Sequence, residues 1–192
     1  MVFSVVFCGG SGLIGPNNTS ITTIKLDPGY YIMECYVKMP NGKFHTLMGM
    51  AKPIIVTQED SGNLPPIPDI EITISKNEGI KYSENLTSGT HIFSVNFIDQ
   101  GPHEHFIGHD VNLVKLDAIA DLDNLEAWMN WSTPFGLKTP VPEGATFLGG
   151  VNESLAGSTG YFKATLTSGN YAFISEVPNS KSKGMFKTFT IK

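Results

Sequence analysis

Leu26-Asp27-Pro28-Gly29-Tyr30-Tyr31 returns 140 positions later as Leu166-Thr167-Ser168-Gly169-Asn170-Tyr171. The match extends in both directions. Phe7-Cys8-Gly9-Gly10 and Phe147-Leu148-Gly149-Gly150 each stand 19 residues ahead of the leucine, counted from the phenylalanine. Downstream, Gly49-Met50-Ala51-Lys52 recurs as Gly184-Met185-Phe186-Lys187 at an offset of 135, and each leads into a closing apolar run. Shared spacing, shared glycines and a shared ending mark an internal duplication. The later copy begins near Asp69, so the earlier one is expected to be a back half only. The division is then 1–57 for the incomplete unit, 58–68 for a linker with Gly62 and three prolines, and 69–192 for the complete unit.

Short alternating or β-branched runs dominate both units: 3–8, 20–26, 30–38, 43–48 and 54–57, then 70–75, 91–98, 111–116, 160–166, 171–177 and 186–191. Turn signals such as Asp27-Pro28-Gly29, Pro40-Asn41-Gly42 and Ser168-Gly169-Asn170 separate them. That pattern predicts an all-β sandwich. One short helix is expected within 118–131, where Leu122, Leu125, Trp128 and Met129 fall at helical spacing and Asp121 or Asp123 can cap the first turn. Its apolar stripe reads as core packing. Residues 133–147, rich in proline and glycine, read as a long connection.

With 192 residues and 41% apolar content, the chain can bury a sizeable core. A net charge of −5 with acids and bases interspersed argues against nucleic acid as a partner. No run is long enough to span a bilayer, and the apolar start has neither the length nor the basic leader of a signal peptide. The two cysteines, Cys8 and Cys35, both lie in the first unit. They can be bridged or remain buried thiols. No phosphate loop, dinucleotide fingerprint or nucleophile elbow is present, so catalysis by protein groups alone is not expected.

Cys35, His45 and Met50 are the first candidate site. A thiolate, an imidazole and a thioether brought together at a strand end and the following loop are three of the four ligands of a blue-copper centre. This passage resembles the cupredoxin family, in which Cys is followed by His and then, five residues on, by Met; His45 and Met50 have that last spacing. The Leu26-x-x-Gly29-x-Tyr31 lead-in is also similar, and the long gap from Cys35 to His45 resembles the loop of copper nitrite reductases. The resemblance implies an all-β, cupredoxin-like Greek-key β-sandwich, here one complete domain plus the C-terminal half of a second, with one short helix. It implies copper as cofactor, electron transfer as a role, and a periplasmic or secreted location. The family also uses a second histidine from the front half of the same sandwich, and no histidine precedes Cys35.

The second candidate is Asp99-Gln100-Gly101-Pro102-His103-Glu104-His105-Phe106-Ile107-Gly108-His109-Asp110. Residues 96–103 resemble the front-half cupredoxin turn that delivers the first copper histidine. The second unit lacks the partners: Ser175 aligns with Cys35, the loop 178–183 has no histidine, and only Met185 matches a ligand. On an extended backbone, His103, His105 and His109 share one face and suit Zn²⁺ or Cu²⁺ with a position left open. An exposed histidine-rich turn is the alternative. His91 reads as structural.

Three functions follow as expectations. The first is a non-enzymatic cupredoxin-like module that binds copper, or zinc, through Cys35, His45, Met50 and a histidine of the 103–109 cluster. The second is a metal-free structural or interaction domain, and the third a fragment of a multidomain copper oxidoreductase. A half sandwich exposes apolar faces and strand edges. Association into a homo-oligomer through the incomplete N-terminal unit is therefore expected.

Overall fold

The computed structural model describes residues 5–83 and 86–192. Its strands are β1 (Ile21–Thr23), β2 (Gly29–Glu34), β3 (Ala51–Val56), β4 (Ile70–Ser75), β5 (Gly79–Tyr82), β6 (Gly89–Phe97) and β7 (Val111–Leu116). The helix α1 (Leu122–Met129) follows, then β8 (Ala145–Val151), β9 (Thr159–Leu166), β10 (Gly169–Ile174) and β11 (Phe186–Ile191).

One sheet has the order β1-β9-β6-β4-β5 and a second the order β11-β10-β7-β8. The chain crosses between them after β6, after β8 and after β9, and β4 runs parallel to β6. This is the Greek-key sandwich that the cupredoxin resemblance implied. Between the sheets pack Ile72, Phe93, Val95, Phe162 and Phe173, with Phe93 stacked on Phe162 at 4.5 Å.

The strand β7 is buried on both faces, so its sequence Val111-Asn112-Leu113-Val114-Lys115-Leu116 alternates between two cores. Val111 and Leu113 face the sandwich interior, whereas Val114 and Leu116 face a second cluster under α1 with Leu125, Met129 and Ile174. Asp121 caps α1: its Oδ1 accepts from the backbone nitrogens of Asp123 at 2.9 Å and Asn124 at 3.1 Å. Among the described residues, no helix is long and apolar enough to cross a membrane.

The N-terminal segment joins both sheets. The strand β1 extends the first by pairing with β9, and isolated bridges from Ser11 to Val151 and from Ile14 to Leu148 run alongside β8. The hairpin β2–β3 belongs to neither sheet. It nonetheless repeats the pairing of β10–β11: Gly29 faces Val56 and Glu34 faces Ala51, as Gly169 faces Ile191 and Ile174 faces Phe186. Tyr31 donates to the Asp27 carbonyl at 2.7 Å, and Tyr171 to the Thr167 carbonyl at 2.9 Å.

The structure corrects several sequence expectations. Residues 43–48, expected as a strand, include a 3-10 turn, His45–Met48, closed by Gly49 at φ 96°. The run expected over 30–38 ends at Glu34. Both β5 and β8 were unread, and β8 takes in the end of the supposed long connection. The run expected from residue 3 begins outside the described residues.

Candidate metal centre

Cys35 follows β2 directly, and three backbone hydrogen bonds fold the loop back onto it. Cys35 N donates to the Met50 carbonyl at 3.1 Å, Met50 N to the His45 carbonyl at 3.2 Å, and Thr46 N to the Cys35 carbonyl at 2.9 Å. The Thr46 hydroxyl also donates to Cys35 O at 2.6 Å. Gly49 supplies the left-handed residue that turns the chain between His45 and Met50. The result places Cys35 Sγ 3.6 Å from His45 Nδ1. Cys35 and His45 are half-buried, and Met50 is exposed. The loop thus offers a soft sulfur and a borderline nitrogen at adjoining positions, with a thioether residue fixed to both through the backbone. Among the described residues no group of three His, Cys, Asp or Glu side chains is placed to hold a metal ion; a copper ion here would take Cys35 and His45, with the Met50 thioether as a soft third donor.

The shorter 175–185 loop repeats the closing backbone bonds with different side chains. Ser175 N donates to the Met185 carbonyl at 3.0 Å, Met185 N to the Ser180 carbonyl at 2.7 Å, and Gly184 N to the Lys181 carbonyl at 3.1 Å. The corresponding Gly49 N donates to the Thr46 carbonyl at 3.1 Å. Ser175 therefore stands where Cys35 stands and Ser180 where His45 stands, and both are fully buried. Neither hydroxyl replaces a thiolate or an imidazole. Instead Ser175 Oγ donates to Asp110 Oδ1 at 2.8 Å and accepts from Asp110 N at 3.1 Å.

The histidine cluster separates. Residues 104–106 form a 3-10 turn in which His105 adopts φ 59° and is exposed, so the extended face expected for His103, His105 and His109 does not form. His103 and His109 do meet, with His103 Nε2 3.2 Å from His109 Nδ1. His109 Nε2 lies 2.8 Å from the Asp99 carbonyl, so it donates there and its Nδ1 accepts from His103. Gln100 clamps the His109 backbone on both sides, and Phe97 stacks on the ring. Burial lowers the pKa of both rings, that of His103 to about 4. Among the described residues, no hydrogen bond or ring contact links His103, His105 or His109 to Cys35, His45 or Met50. His91 bonds Asp69 and the Thr87 carbonyl, as a structural histidine does.

A buried carboxylate cluster beside these loops was not foreseen. Asp110, fully enclosed, accepts from Ser175 Oγ, from Glu176 N at 2.7 Å and from Asn112. Its pKa still rises to about 6 because burial outweighs those bonds. Glu176 is pushed up by burial and then by Asp110, and Glu153 reaches about 7 for the same two reasons. Tyr36, the neighbour of Cys35, accepts from Asn152 and faces Glu176; burial raises its pKa. The signal in the sequence was the length of the Cys35-to-His45 gap, ten residues against five from Ser175 to Ser180. Those extra residues carry Tyr36 against Trp131 and Asn152, and Lys38 onto the 133–139 connection.

No family model matches the sequence, and no curated protein matches it. Among solved structures, auracyanin B is similar at 14% identity, over 69% of this chain and 95% of that one, with a TM-score of 0.40. The dithionite-reduced auracyanin of the photosynthetic bacterium Roseiflexus castenholzii is similar at 15% identity, over 64% and 94%, with a TM-score of 0.42.

Proposed function

We propose that this protein is a non-enzymatic, cupredoxin-like module that binds copper through Cys35, His45 and Met50 and serves electron transfer. The observation that supports it is the 3.6 Å approach of Cys35 Sγ to His45 Nδ1, held by backbone bonds that also fix Met50. When bound, copper supplies a one-electron couple tuned by the thiolate and the weak thioether. The protein supplies the thiolate, the imidazole orientation and a pre-folded loop.

The test is addition of Cu²⁺ to the purified protein, followed by visible absorption. An intense thiolate-to-copper band that disappears in Cys35→Ser, with the β-sheet circular dichroism unchanged, is the expected result. Copper uptake without that band, or a band that survives Cys35→Ser, overturns the reading. For the 175–185 loop the buried hydroxyls of Ser175 and Ser180 favour a structural role without metal.

A further inference from the structure

Two antiparallel contacts between the N-terminal segment and the sandwich pair a residue with the one 140 positions later. Ser11 bridges Val151, and Thr22 pairs Phe162. Around the first, Gly12 N donates to the Gly150 carbonyl and Asn152 N to the Gly10 carbonyl, each a neighbour's counterpart. Around the second, Ile21 faces Lys163 and Thr23 faces Tyr161. An antiparallel pair of a residue with its own counterpart is unchanged when the copies are exchanged, which is the mark of an isologous, two-fold contact. Two such pairs define one local axis. The copies agree in detail as well: φ is 95° and 152° at Gly9 and Gly10, and 106° and 152° at Gly149 and Gly150.

Rotation about that axis carries β4–β7 and α1 onto the space beside β2 and β3. Three features of the hairpin match that placement. The edge of β10 pairs with β7, whereas among the described residues β2 pairs only with β3. Ile32 and Met33 are 74% and 57% exposed, while their counterparts Ala172 and Phe173 are both at 0%. A Cβ at Gly150 would lie 2.0 Å from the Val111 carbonyl oxygen of β7, but at Gly10 nothing is nearer than Asn152 Cβ at 3.8 Å. By that symmetry, the strand that would join the hairpin to residues 9–15 corresponds to β7.

We infer that β2, β3 and residues 9–15 form a docking surface for a half-sandwich of the β4–β7 kind, a β4–β6-type layer with a β7-type strand in the facing sheet, carried by polypeptide other than residues 5–192. The β7-type strand runs antiparallel to residues 30–34 in the register that β7 takes on β10, and closes a second sandwich about the local axis. Such a half-sandwich supplies a sheet over Tyr31 and Met33 and a cover over Ile32, the two faces that β10 buries in its own surroundings. A second copy of this chain has its own β4–β7 already covered by β8–β11. It can offer an edge strand but not both faces.

The test uses the full chain and a synthetic peptide of residues 109–117 with Asp110→Cys, presented as a mixed disulfide with glutathione. Ser175 Oγ meets Asp110 Oδ1 at 2.8 Å, so a peptide seated in the β7 register brings its disulfide sulfur to Cys35, whose thiolate attacks it, forms the Cys35–peptide disulfide and releases glutathione. Seating raises the effective concentration of the two sulfurs. Exchange at Cys35 is therefore expected to run at least about tenfold faster than at Cys8, and about tenfold faster than with the same peptide bearing Lys115→Cys instead. Slower amide exchange at residues 30–34 accompanies it. Equal labelling of the two cysteines, or by the two peptides, overturns the inference. So does a dimer by light scattering whose residues 30–34 are already protected without peptide, since a second copy is then the occupant.

Discussion

Lys38 donates to the carbonyl of Gly136 at 2.8 Å across 98 residues of sequence, and to the Thr133 carbonyl at 2.9 Å. Its backbone adds bonds to Leu137 and Thr139, so the Cys35-to-His45 loop is pinned to the connection that follows α1. Removing the ammonium leaves two carbonyls short of a donor. Lys38→Ala is expected to lose about 1–3 kcal/mol of stability, read by urea unfolding. The 36–44 loop is expected to become a protease site. An unchanged midpoint and cleavage pattern would show that the pin carries no weight.

The carboxylate cluster sets a pH dependence. Glu153 and Asp110 have folded pKa values near 7 and 6, above the ordinary 4.5 and 3.8, and Glu176 is raised as well. The folded protein therefore holds protons that the unfolded chain has already released, and stability falls as pH rises through that window. His103 acts the other way: its pKa of about 4 lies below the ordinary 6.5, so its contribution rises with pH over that interval and then levels off. Above about pH 7 the histidine contribution is complete and only the carboxylate loss remains. Glu176→Gln removes a carboxyl that folding must either keep protonated or bury as a charge, and is expected to stabilise by about 1–3 kcal/mol at pH 8 while changing little at pH 4. Thermal melts at the two pH values check it; an equal shift at both would refute the charge argument.

Some of this was legible from residues alone. The strands β4, β7 and β11 coincide with their alternating or β-branched runs, because burial on one or both faces leaves a period-two or continuous apolar pattern. The strand β5 did not stand out: Gly79-Ile80-Lys81-Tyr82 is short, and it becomes a strand by pairing with β4. Gly149 and Gly150 hid β8 in the same way. At the site, the spacing of Cys35, His45 and Met50 foretold a shared loop, since strand end and turn bring those positions together. The Asp110, Glu153, Glu176 and Tyr36 cluster had no such pattern. Asp110, Glu153 and Glu176 come together from separate parts of the 69–192 sandwich and Tyr36 joins them from the N-terminal segment, and tertiary contact of that kind leaves no local period.

The His103–His109 contact fixes a tautomer. With His109 Nε2 donating to the Asp99 carbonyl, Nδ1 is the acceptor and His103 carries its proton on Nε2. Long-range ¹⁵N–¹H correlation at pH 7 is expected to show the Nε2–H form for both rings, and His103 is expected to remain neutral at pH 5, consistent with its pKa of about 4. An Nδ1–H signal from His109 would reverse the donor assignment, and a His103 charged at pH 5 would remove burial as the controlling effect.

Gly10 and Gly150 share φ 152°, so alanine meets the same backbone penalty at either position. Their surroundings differ. At Gly150 the new methyl meets the Val111 carbonyl oxygen at 2.0 Å and Asn112 Cα at 2.9 Å, both backbone atoms of a central strand that cannot move without breaking the β7–β8 ladder. At Gly10 the nearest atom is Asn152 Cβ at 3.8 Å, an ordinary contact. Because the conformational effect cancels, the difference between the two variants isolates the steric effect of β7. Gly150→Ala is expected to lose about 1–3 kcal/mol more than Gly10→Ala in equilibrium urea unfolding. Equal losses would mean that β7 yields at Gly150. A larger loss at Gly10 would mean that its flank is already filled.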